Sequence, residues 1–430
     1  MPMLTGVIVL ILFICLVIMG VPVAVALFTC GFGGLVWLVG FEAATGVSVG
    51  IVINYIAKYA WAVVPMFVFM GQLGYHSGLL TDIFKVAREW LGRLPGGLAI
   101  SVEVADAIFA ASSGSSIAAC VVVGKPAIPL MRESGYSDSM ATGVVAAGGT
   151  IAGLIPPSIT ICIYGLLVDE SIGKLLIAGI IPGIATAAIY IGFILVRCRN
   201  VPKIQERATW KSRLYAIRHL WVVFLLIIAI MGAIYMGLAT PTEGGAVGAF
   251  VIFFLTLATR RLTWNMLWES LKETVITAGM IFIILVGAMF LSRFLVLSGF
   301  SKAFNSAVAG MGLPNFAMFC MITVVYFVLG CFVGGTAMLV MTLPIFYPMM
   351  MDMGFSSLWF GIICVKYVEM AVITPPVGVN LYAVQSIVGD EIPLSTIMRG
   401  AGQFLIMDLA TIALFYFFPG IITFLPSLMG

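Results

Sequence analysis

A chain of 430 residues with 62% hydrophobic and 9% charged residues and a mean hydropathy of +1.18 is far more apolar than a soluble domain, in which about a quarter of residues are charged. This excludes a soluble protein, and a net charge of +3 carried in short loops leaves no basic face for nucleic acid. The apolar stretches are long enough to cross a hydrocarbon core of about 30 Å as helices, and the alternation of barrel strands is missing. The class is therefore an all-α polytopic membrane protein. The first segment, 1–20, has neither a basic n-region nor a small-residue cleavage site and reads as a retained span.

Basic residues in short loops orient the rest. Lys85, Arg88 and Arg93 form one cluster; Arg197, Arg199, Lys203, Arg207, Lys211, Arg213 and Arg218, opposed by Glu206, form a second; Arg260 and Arg261 form a third. All three are expected on the cytoplasmic face. Between the first two lie a polar-tipped apolar segment at 100–131 and spans at 138–168 and 175–196. Two full crossings preserve sidedness only if the polar-tipped segment enters and leaves on one side, so it is predicted to be a re-entrant hairpin. After Arg261 a single span at 274–297 crosses outward, so a second hairpin at 314–350 must dip in from outside, followed by a span at 356–388. The expected domains are a first half at 1–196, a basic linker at 197–218 and a second half at 219–430, related as inverted repeats.

The two halves carry one pattern at a constant offset of 219 residues, as from Ala118 to Ala337. Pro129, Met131, Gly135, Pro156 and Pro157 fall on Pro348, Met350, Gly354, Pro375 and Pro376. Each copy opens with a small polar cluster, Ser112-Ser113-Gly114-Ser115-Ser116 or Gly334-Gly335-Thr336. Each then reaches a Pro-Pro pair inside a span, and two missing helix donors there predict an unwound stretch. Broken helices at matched places in inverted halves are how secondary transporters build a midplane site.

Free carbonyls and hydroxyls at such breaks suit sodium, while half-helix N-termini suit an anion. One expected shell combines Ser112, Ser113, Ser115 and Ser116 with the stretch from Gly148-Gly149-Thr150 to Pro156-Pro157; the other combines Gly334, Gly335 and Thr336 with Thr374-Pro375-Pro376. The sodium ligand candidates are Ser113, Ser115, Thr150, Gly335, Thr336 and Thr374. For a single serine, helix packing is the commoner role, but chance does not place matched breaks at constant spacing.

Intramembrane charges are expensive. Lys366 and Glu369, three apart on one helical face, read as a mutually neutralising pair. Arg293 is suited either to attracting an anion or to snorkelling outward; Asp106 to pairing with a base or capping a helix; and Glu243, after Thr240-Pro241-Thr242, to helix capping. With only His76 and His219, zinc and haem lack ligands, and no cofactor is expected beyond sodium as the coupling ion. The eight cysteines read as small core residues, with Cys198 at a span's edge. The serine cluster has no positioned base for hydrolysis and no Walker-type loop is present, so no enzyme is expected.

These residues resemble the large permease (M, DctM-type) subunit of tripartite ATP-independent periplasmic (TRAP) transporters. The stretches that carry the resemblance are 112–118, 131–136, 147–150 through 154–158, which ends on Ser158, 177–183, 239–243 and 374–381, which includes Asn380. At the first tip Ser112 stands where the family pattern has Ile. The resemblance implies an elevator-type sodium symporter fold in a bacterial or archaeal cytoplasmic membrane, with both hairpins and both broken spans in the moving part. It implies two partners: a small membrane (Q-type) subunit of about four spans and a periplasmic substrate-binding protein that delivers an organic acid. The alternative is a stand-alone sodium/divalent-anion symporter, whose Ser-Asn-Thr tip this chain lacks.

Overall fold

The computed structural model describes residues 2–80, 82–199, 201 and 209–429. Lys203, Glu206 and Arg207 of the basic linker lie outside the described residues. Four helices are individually long and apolar enough to cross a membrane: Ile172–Arg197, Pro241–Ala258, Trp264–Leu297 and Leu394–Phe417. Two bent pairs, Phe41–Asn54 with Tyr59–His76 and Trp210–Ile217 with Trp221–Tyr235, bring the number to as many as six among the described residues. Of the shorter apolar helices, Ile159–Val168 follows a break in its span and Asn315–Gly330 is one arm of a hairpin. Large apolar side chains such as Ile8, Phe28, Phe224, Ile228, Phe250 and Ile283 point outward, as a lipid-facing surface requires.

Each half contains a hairpin, a broken span and a long helix in the same order. The first hairpin pairs Gly97–Ser113 with Ser116–Glu133, and the second pairs Asn315–Gly330 with Gly335–Asp352. The first broken span is Asp138–Gly148, a 3-10 stretch Gly149–Gly153, and Ile159–Val168 after the Pro-Pro pair; the second is Ser357–Ala371 and Val379–Val388. Both Pro-Pro peptide bonds are cis. The long helices Ile172–Arg197 and Leu394–Phe417 follow.

Polar contacts at the ends show that the broken spans run antiparallel. Arg132, at the open end of the first hairpin, bonds Asp138 at 2.9 Å, where the first broken span begins, and Glu391 at 2.7 Å, where the second ends. On the opposite face the Tyr164 hydroxyl, near the end of the first, donates to the Ser357 carbonyl at the start of the second (2.8 Å). Tyr347, at the open end of the second hairpin, donates to Ser357 Oγ at 3.2 Å. The hairpins therefore enter from opposite faces, which makes the topology inverted. The basic clusters share the Arg132 side. Trp90 Nε1 donates to the Arg213 carbonyl at 3.2 Å and Arg261 Nη1 to the Gly78 carbonyl at 2.8 Å, while Gly96, leading into the first hairpin, packs on Cys198.

Candidate site at the meeting of hairpin tips and broken spans

The first hairpin turns at Gly114, whose φ of +61° is left-handed and favours glycine. Ser115 then caps the returning helix, accepting from Ala118 N at 3.3 Å. Ser112 is buried and donates to the Phe109 carbonyl at 2.7 Å, and Ser113 Oγ accepts from Ser115 N at 3.4 Å. A Cβ on Gly114 would lie 2.8 Å from the Pro157 carbonyl oxygen, so the tip rests directly on the unwound part of the first broken span. Past the prolines, Ser158 caps Ile159–Val168, accepting from Ile161 N at 3.3 Å and donating to the stranded Gly153 carbonyl at 2.6 Å. One side chain thus satisfies groups at both broken ends, as burial demands.

Gly149 is a close junction of three elements. A side chain there would meet Cys120 Sγ at 2.5 Å, the Ser116 carbonyl oxygen at 2.7 Å and Asn380 Nδ2 at 3.1 Å. These neighbours belong to the first hairpin and the second broken span. Asn380 Nδ2 donates to the Ala146 carbonyl at 3.1 Å, while its buried Oδ1 has no hydrogen-bond partner among the described residues. Thr150, next in line, donates to the Ala147 carbonyl at 2.7 Å.

The second tip is built differently. Gly334 sits at the start of the returning helix with open space beside it, and Gly335 packs on Val368, to whose Cγ1 a Cβ would come within 2.6 Å. Tyr326 stacks on Tyr367 at 4.5 Å between ring centroids, pinning the hairpin to the second broken span. Thr374 donates to the Met370 carbonyl at 2.7 Å, and the Pro376 carbonyl accepts from the Tyr382 hydroxyl at 3.0 Å. Thr336 is half-buried at the tip. Both tips reach the end of one helix, Ser357–Ala371: Ser116 Oγ donates to Glu369 Oε2 at 2.7 Å and Gly335 lies on Val368.

The expected Lys366–Glu369 pair does not form. Lys366 Nζ instead pairs with Asp408 Oδ1 at 2.5 Å, and Glu369 takes the Ser116 hydroxyl. Three-residue spacing makes these side chains helical neighbours, but stronger partners from other helices outcompete that contact. Asp106 neither pairs nor caps. It lies mid-helix against Gly148, and both of its oxygens lack a hydrogen-bond partner among the described residues, as do those of Glu103 one turn earlier. Glu243 does cap: its carboxylate accepts from Thr240 N at 2.7 Å and Thr240 Oγ1 accepts from Glu243 N at 3.3 Å, a capping box. Arg293 is exposed and lines a cavity of about 390 Å³ with Ser292, Asp169, Pro344 and Tyr347, between the long helix Trp264–Leu297, the second hairpin and the end of the first broken span.

Sequence reasoning missed Glu103, Tyr190 and Asp408, all fully buried. The Tyr190 hydroxyl donates to Asp408 Oδ1 and lies 3.2 Å from Thr150 Oγ1. The one carboxylate of the helix Leu394–Phe417, set in the apolar stretch after Gln403, is the signal that could have found Asp408.

The family profile described as "Tripartite ATP-independent periplasmic transporter, DctM component" matches residues 10–421. The chain is 31% identical over 378 residues to a C4-dicarboxylate TRAP transporter large permease protein of Pseudomonas aeruginosa, covering 86% of this chain and 87% of that one. It is 30% identical over 424 residues to an ectoine/5-hydroxyectoine TRAP transporter large permease protein of Ruegeria pomeroyi, covering 96% and 97%. Its fold is like that of the Alcanivorax borkumensis YdaH transporter, with a TM-score of 0.61 at 13% identity over 89% of this chain and 90% of that one. A match along nearly the whole chain, on a scaffold of inverted hairpins and broken spans, places this protein in the DctM family, as the large permease component of a TRAP transporter and not an enzyme.

Proposed function

We propose that this protein carries out sodium-coupled secondary active uptake of an organic acid anion, a carboxylate or sulfonate, across a bacterial or archaeal cytoplasmic membrane. The observation that carries the reading is the convergence of both hairpin tips on one helix end of the second broken span, at Ser116–Glu369 and Gly335–Val368. The donor chemistry fits sodium. The hydroxyl protons of Ser112, Thr150 and Thr374 are directed to carbonyls of their own helices, which leaves lone pairs for a hard cation. The helix starts at Ser115, Ser158 and Gly334 suit a carboxylate or sulfonate. Each sodium that enters gains about 2.3 kcal/mol per 100 mV, so two sites more than carry a monoanion inward.

The two halves, 1–196 and 219–430, are inverted repeats joined by the basic linker at 197–218. The hairpins and broken spans move together against the remaining helices in an elevator cycle, and the cavity at Arg293 gives the anion its approach. A small membrane subunit and a periplasmic substrate-binding protein complete the transporter. The names of the two relatives, each the large permease protein of a TRAP transporter and each with a different substrate, support this reading.

The test is uptake of labelled organic acids into proteoliposomes holding this chain and its small subunit, with and without binding protein, under an imposed sodium gradient. Uptake that needs both sodium and the binding protein is expected. Sodium-driven uptake by this chain alone would overturn the partnership in favour of a stand-alone symporter, and uptake indifferent to sodium would overturn the coupling.

A further inference from the structure

Five ionisable groups lie in the core formed by the first hairpin and the helices around it: Glu103, Asp106, Lys366, Glu369 and Asp408. All are fully or almost fully buried, and Lys366 is the one cation among them. Burying an ion pair stabilises a fold no better than apolar packing of the same volume and often less well, so stability does not explain why Lys366 and Asp408 stand there. Their placement does. Thr150, in the 3-10 stretch of the first broken span, is 3.2 Å from the Tyr190 hydroxyl; Tyr190 donates to Asp408; and Asp408 holds Lys366 at 2.5 Å. The Lys366 ammonium also lies 5.5 Å from the centre of the Tyr190 ring. Lys366 and Glu369 are one turn apart on a single helix, and Glu369 accepts from Ser116 at the first tip while neighbouring Val368 bears Gly335 of the second.

We propose that Tyr190, Asp408 and Lys366 form a buried relay of positioning residues that couples the cation shell at Thr150 to the shell at the second hairpin tip. The proposal rests on the sodium reading above. A cation on the Thr150 oxygen lone pairs requires the hydroxyl proton to point away from it. Tyr190 and the Ala147 carbonyl are the acceptors within reach. In the structure the Thr150 proton goes to the Ala147 carbonyl; a cation that also draws on that carbonyl leaves Tyr190 as the acceptor. Donation to Tyr190 then strengthens the Tyr190–Asp408 bond, because chains of hydrogen bonds in a low-dielectric core polarise one another. Asp408 then fixes Lys366, and with it the turn of helix on which Val368 and Glu369 meet the two tips. Ordering one shell lowers the cost of ordering the other, which is positive coupling between sites.

Two variants test this in the full transporter. Tyr190→Phe removes only a hydroxyl. The double change Lys366→Met with Asp408→Leu removes both charges together, so neither is left unpaired, and the Tyr190 hydroxyl keeps Thr150 Oγ1 within reach at 3.2 Å; folding is checked by size-exclusion profile in detergent. Uptake is measured against sodium concentration at saturating substrate, and against substrate at saturating sodium. The expected result is a half-saturating sodium concentration raised at least about fivefold and a sodium Hill coefficient falling toward about 1, with the substrate KM at saturating sodium unchanged. Sodium curves like the parent's in Tyr190→Phe would overturn the relay, and so would restoration of the parent's curve by the charge-free double variant, which would make the ion pair a packing device. A parent transporter indifferent to sodium would instead remove the coupled-transport reading itself and the relay with it.

Discussion

Gly149 shows how little freedom single positions in this site have. A side chain on it would meet Cys120, the Ser116 carbonyl and Asn380 so closely that Gly149→Val must push the first hairpin and the second broken span away from the first broken span. Uptake should be lost while the protein still inserts, as uptake and membrane yield measured together will show. The hydroxyl candidates are milder. Ser115→Ala and Thr336→Ala, made separately, should raise the sodium requirement without loss of folded protein; unchanged sodium titrations in both would remove these residues from the shells. Among the buried charges, Lys366→Met alone leaves Asp408 unpaired and should cost about 3–5 kcal/mol. Glu103→Gln keeps the shape of a side chain that has no described partner and should leave thermal stability close to the parent's. Melting temperatures of the purified variants separate the two.

At the scale of elements, the structure turns on how broken helices recover their backbone bonding. The Pro-Pro pairs cut each span into pieces of 10–15 residues, too short to be held by propensity alone. Caps and tertiary contacts therefore carry them. Ser158 serves both broken ends at once, so Ser158→Ala should destabilise by roughly 1–2 kcal/mol, the upper part of the range for a lost N-cap, and should loosen the Gly114–Pro157 contact beside it. The breaks were legible in the sequence because proline removes a donor wherever the chain folds, and the Thr240–Glu243 capping box was legible because it is local. The partner of Lys366 was not, because helical spacing names a neighbour one turn away and cannot name Asp408, more than forty residues on. Asp106 and Glu103 eluded the local rules for the same reason: their surroundings are other helices.

For the molecule as a whole, inversion has a direct test in cysteine accessibility. Single cysteines at Arg132 and Glu391, which touch each other, should be labelled from one side of the membrane, and a cysteine at Asp169 from the other. Labelling of all three from one side would be incompatible with the antiparallel broken spans. Composition, the constant offset between the halves and the positions of the basic clusters determined by themselves that the chain is helical, spans a membrane and carries two inverted sets of broken helices, because hydrophobic length, missing proline donors and loop charge act locally. The tertiary structure alone decided that both tips meet on one helix end, that Lys366 answers to Asp408, and that Tyr190 joins them to Thr150. Those contacts depend on how distant helices pack, and a buried charge takes the partner that packing brings within reach.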